Sequence, residues 1–102
     1  MLTQTKVLMP LSADAAETIA LQALAWLIGN DELWPVFQGA TGASEVDLRA
    51  RASDPAFLTS VLEFLTMDDS WIIGFCDDTG VAYDQPMLAR AKLAGPAGMH
   101  WT

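Results

Sequence analysis

The apolar residues of this chain recur at three- and four-residue intervals. Nowhere do they alternate with polar residues over strand length. Residues three and four apart share one face of an α-helix, whereas a half-buried strand needs a period of two. A chain patterned this way buries its apolar surface by packing helix on helix. The segment after "SDP" shows the pattern most cleanly. Phe57, Leu58, Val61, Leu62 and Leu65 form one stripe, and Thr59, Ser60, Glu63 and Thr66 lie off it. An earlier segment differs. Ile19, Ala20, Leu21, Ala23, Leu24, Trp26, Leu27 and Ile28 nearly encircle the axis, which predicts a central, well-covered helix.

Start and stop signals divide the chain. Ser12 or Asp14 caps a first helix to about Ile28, and Gly29-Asn30 closes it. Asp31 and Glu32 put negative charge at the start of a second, where the macrodipole favours it. Pro35 is tolerated there because first-turn N–H groups lack helical partners. Thr41-Gly42 ends this helix. "SEVD" (Ser44–Asp47) is a capping box with Asp in place of Glu or Gln, and it opens a third helix to about Ala52. Asp54 caps the fourth, with Pro55 at its first position. Asp68 or Asp69 caps the fifth, and Gly80 suits a left-handed stop. Asp84, with Pro86 after it, starts a sixth to about Leu93, which "GPAG" breaks. The expectation is all-α: a compact bundle of five or six helices. Residues 1–11 form an N-terminal tail, 12–95 a single helical domain and 96–102 a C-terminal tail. The 102 residues suffice for one core and not for two.

An offset of 38 lays Glu17–Ala43 over Pro55–Val81. Leu24 meets Leu62, Leu27 meets Leu65, Asp31 meets Asp69, Phe37 meets Phe75, and Thr41-Gly42 meets Thr79-Gly80. Ile19/Phe57, Trp26/Phe64 and Leu33/Trp71 keep apolar character. This predicts two related three-helix units, with the first and fourth helices packed at the centre.

The net charge is −8, a field that repels phosphate and anionic lipid. Nucleic acid and membrane are therefore not expected partners. The apolar fraction of 52 % exceeds the usual share, and the surplus predicts an exposed patch that favours self-association or a protein partner. One cysteine makes no internal disulfide, which fits a reducing cytoplasm. No apolar run reaches the length of a membrane span, and "VLMPL" is too short for a signal-peptide core. The expectation is a soluble cytoplasmic protein.

Few residues invite chemistry. Cys76, in "GFCDDTG", is followed by Asp77 and Asp78 at a helix C-terminus. Carboxylates and the negative dipole end both disfavour a thiolate, so Cys76 reads as a small core hydrophobe. His100 has no local group to fix it as a ligand or base. "DDTGVAYD" lacks calcium-loop spacing. "TGASEVDLRARA" resembles a helix-turn-helix at Phe37, Gly42, Ala43 and Leu48. Glu45 and Asp47 would, however, bring negative charge to the groove. No catalytic, cofactor-binding, metal or small-molecule motif is identifiable. Trp26 is core by its spacing. Trp34 and Trp71, at helix starts beside acidic residues, are candidate half-exposed partner contacts, and Asp77 and Asp78 are candidate acidic ones.

The segment "DLRARASDPAFLTSVLEFLTMDDSWIIGFC", Asp47–Cys76, resembles a family of short bacterial all-helical proteins of unknown function. The similarity extends over about Ala15–Gly95. Val81–Leu88 departs from that pattern at Tyr83 and Gln85-Pro86. The resemblance implies helices and a bacterial cytoplasmic origin, and it carries over no functional residue. The expected role is a non-catalytic protein–protein interaction module that self-associates. The alternatives are a helix-turn-helix DNA-binding or transcription-associated protein, and a metal-dependent hydrolase using the aspartates.

Overall fold

The computed structural model describes residues 11–100, without the side chains of Glu45, Arg49 and residues 96–100. Most of both expected tails lies outside the described side chains. Six helices and no strand are present among the described residues: α1 (Ala13–Ile28), α2 (Leu33–Thr41), α3 (Glu45–Arg51), α4 (Pro55–Leu65), α5 (Asp69–Thr79) and α6 (Gln85–His100). Inside α6, Gly95 is non-helical (φ 67°, ψ −171°), so the helix kinks at "GPAG" and a short helical segment continues to His100.

The start signals operate as side-chain hydrogen bonds. Ser12 Oγ accepts from Ala15 N–H, Asp54 Oδ1 from Ala56 N–H, and Asp68 Oδ1 from Ser70 N–H. Each satisfies a backbone donor that the first helical turn leaves orphaned. Half of the "SEVD" box forms, with Ser44 Oγ accepting from Asp47 N–H at 3.3 Å. One cap differs from expectation. Asn30, read as part of a stop, is the group that starts α2. Its Oδ1 accepts from both Glu32 and Leu33 N–H at 3.0 Å. The amide side chain folds back over its own chain in the manner of an Asx-turn, leaving Asp31 and Glu32 exposed. Just before the Ser12 cap, Leu11 packs partly buried against the core.

At the centre, α1, α4 and α6 pack against one another, and α1 also meets α2 and α5. The α4 stripe is fully buried as its spacing predicts. On α1, Ala16, Ala20, Ala23 and Leu27 are inaccessible, as is Ala89 on α6. Small side chains on facing helices let their backbones approach closely. Yet α1 is not covered all round. Leu21 and Ile28 stay about two-fifths exposed and, with Ala25, mark an outward strip.

The two segments aligned at an offset of 38 end alike. Gly42 and Gly80 both take left-handed conformations (φ 73° and 80°), and each N–H reaches back four residues at 2.8 Å, to Gln38 and Cys76 carbonyls. Thr41 and Thr79 hydroxyls donate to Phe37 and Phe75 carbonyls at 2.8 and 2.7 Å. Phe37 and Phe75 are both fully buried. Each meets an aromatic ring of the other segment edge-on. Phe37 meets Phe64 at 5.3 Å and 80°, and Phe75 meets Trp26 at 6.0 Å and 74°. Adding or subtracting 38 turns one pair into the other.

Candidate functional site: an acidic cleft beside Trp26

The C-terminal end of α1 approaches the C-terminal end of α5, and an open cleft of about 450 Å³ lies between them. Ala25, Trp26 and Gly29 line it from α1 and its stop. Asn30, Asp31 and Glu32 line it from the connection to α2, and Asp78 from α5. Of the charged groups there, all are carboxylates.

Trp26 is held in place by α5. Its ring packs against Phe75. Its Nε1–H donates to Asp78 Oδ2 at 2.7 Å, a charge-assisted bond across 52 residues of sequence. Gly74, one turn before Asp78, lies beneath the indole. A Cβ there would stand 3.3 Å from Trp26 Cζ2, so any larger residue presses on the ring. Three contacts therefore fix a side chain that is itself only half-buried. Spacing alone reads Trp26 as core. It is instead a wall, because its polar edge turns outward to a carboxylate.

Asp77 is also engaged, accepting from Tyr83 Oη–H at 2.7 Å. That hydrogen bond, then the nearby Asp77 charge, raises the Tyr83 pKa. The two carboxylates at the unfavourable end of the α5 dipole thus each meet a neutral donor. Tyr83 lies six residues beyond Asp77 across the Gly80 turn, a spacing legible in sequence. The Trp26–Asp78 pair had no local signal.

The other expected residues fall as follows. Trp34 is 9 % exposed and stacks on Phe37 at 5.5 Å and 20°, so its ring belongs to the core. Trp71 is half-buried and stacks on Phe64 at 4.8 Å and 20°. Neither borders the cleft. Cys76 is buried, and its thiol points to the Ala82 carbonyl at 3.5 Å. Burial, then Asp77 and Asp84, pushes its pKa up. That environment suppresses thiolate. Among the described residues, no group of three or more His, Cys, Asp or Glu is placed to hold a metal ion. The segment likened to a recognition helix, α3, has seven residues, and Arg51 lies over the Phe57 ring of its own fold at 4.7 Å. No helix among the described residues is long and apolar enough to cross a membrane.

The family of proteins of unknown function designated DUF3572 has a sequence model that matches residues 13–96. The chain belongs to this family. The matched region runs from the first residue of α1 to just past the Gly95 break, so the cleft and every side chain that builds it lie within the family domain. No curated protein and no solved structure matches the chain.

Proposed function

We propose that this DUF3572 chain is a non-catalytic protein–protein interaction module that docks a cationic, partly apolar segment in the Trp26 cleft. One observation carries the reading. A partly buried indole, fixed by three contacts from α5, stands over an open cleft whose charged groups are Asp31, Glu32 and Asp78. An indole face attracts cations, and carboxylates around it add to that attraction. Rigid aromatic side chains at the centre of a contact carry much of the energy of known interfaces. The anchor in this reading is Trp26, while Trp34 and Trp71 support it from the core. The reduced, buried Cys76 fits a reducing compartment such as the cytoplasm. The same reading takes the two aligned segments as copies of one ancestral unit, of which the second lends Asp78 to the first.

A photoreactive side chain replacing Ala25 tests the proposal, with one at exposed Ser53 as control. We expect a specific crosslinked protein from position 25 that is lost with Asp31→Lys/Glu32→Lys. Equal crosslinking from both positions, or none, overturns it.

A further inference from the structure

We propose that the segment docking in the cleft is the outward face of α6 from a second copy of this chain. The inference rests on the reading of the cleft as a docking surface. Met87, Leu88 and Ala91 fall on one face of α6 by their three- and four-residue spacing. All three are exposed, Met87 by 53 % and Leu88 by 47 %. The opposite face is spoken for, because Pro86 and Ala89 are buried where α6 packs on α1 and α4. Lys92 borders the exposed strip and Arg90 lies on the half-buried side. Arg90 Nε is buried without a hydrogen-bond partner among the described residues.

Charge complementarity selects the occupant. The chain has five basic residues against thirteen acidic. Arg51 is engaged over Phe57, and the exposed cation among the described side chains is Lys92 on α6. An apolar strip bordered by Lys92 matches a cleft that offers an indole and three carboxylates. The strip supplies aliphatic side chains for the Trp26 face and an ammonium for Asp31 and Glu32. Overall, two copies of net charge −8 repel. At about 0.15 M salt the screening length is about 8 Å, so charges at contact range decide the outcome.

Paired charge reversal provides the test. Asp31→Lys/Glu32→Lys reverses the cleft, and Leu88→Glu/Lys92→Glu reverses the strip, all at exposed positions. Thermal melting by circular dichroism confirms that each variant is folded, and Lys92→Glu alone substitutes if the double variant is not. Sedimentation equilibrium at 0.15 M salt should show wild type associating and each variant weakened by about tenfold or more. An equimolar mixture should recover association, because reversed cleft meets reversed strip and native cleft meets native strip. A monomeric wild type, or variants that associate like wild type, or a mixture that fails to recover, overturns the inference. If photocrosslinking from position 25 still captures a different protein, the docking function stands and only the self-association fails. If neither is seen, both fail.

Discussion

The two aligned halves of this molecule share a frame and differ at one corner. Phe64 and Trp26 occupy equivalent places, and each receives an edge-on phenylalanine from the other half. Phe64 is then covered by Trp71, stacked at 4.8 Å, and is 4 % exposed. At an offset of 38 the residue in the place of Trp71 is Leu33, which carries no ring to lay over the indole. Opposite them, Ala40 stands where Asp78 stands. One half is therefore closed and apolar, and the other is open and acidic. The cleft arises where a common packing plan lacks its cover and gains a carboxylate.

Each prediction tests how far that equivalence extends. The largest effect belongs to the shared frame. Phe37→Ala and Phe75→Ala should each destabilise by about 3–5 kcal/mol, measured by urea unfolding, because both rings are fully buried. Strongly unequal costs would reduce the equivalence to coincidence. Covering the open corner with Leu33→Trp should leave stability within about 1.5 kcal/mol. It should also abolish crosslinking from position 25. Crosslinking that persists would deny Leu33 its part in opening the cleft.

Smaller effects follow at the helix ends. Gly42→Ala and Gly80→Ala should cost about 1–2 kcal/mol each. Nothing lies within 4 Å of an added Cβ at either, so the cost is that of positive φ alone. A double-mutant cycle of Trp26→Phe with Asp78→Ala should give coupling of about 1 kcal/mol. Cys76 supplies the least. Its folded pKa is raised above the ordinary 9.0. Its contribution is therefore fully present below the unfolded value and is lost as pH rises through the folded one. Cys76→Ala should flatten the fall of melting temperature above about pH 9.

Much of the frame was legible because its causes are local. Ser12, Asp54 and Asp68 cap the next few residues, and Gly42 and Gly80 stop the preceding ones. Helical spacing marked five of the six buried residues of α4 and left out Phe64. Asn30 was misread because a residue that follows a stop also caps what comes next. The site was less legible for a different reason. Periodicity marks Trp26 as apolar and inward, and it says nothing of an indole N–H that must find an acceptor. That acceptor, Asp78, comes from 52 residues away. Trp34 beside Asp31 and Glu32 looked half-exposed, but it stands three residues before Phe37 on the same helix and stacks on that buried ring, a spacing that was legible in the sequence. Asp77 and Asp78, at the unfavourable end of the α5 dipole, accept from Tyr83 and Trp26.

The most direct measurement is the indole N–H resonance of Trp26 in a ¹⁵N-labelled sample, followed as protein concentration is raised at 0.15 M salt. If the cleft is the contact, this signal moves with concentration in wild type and stays fixed in Leu33→Trp, while those of Trp34 and Trp71 shift little. A Trp26 signal that stays fixed while the chain associates would contradict the account.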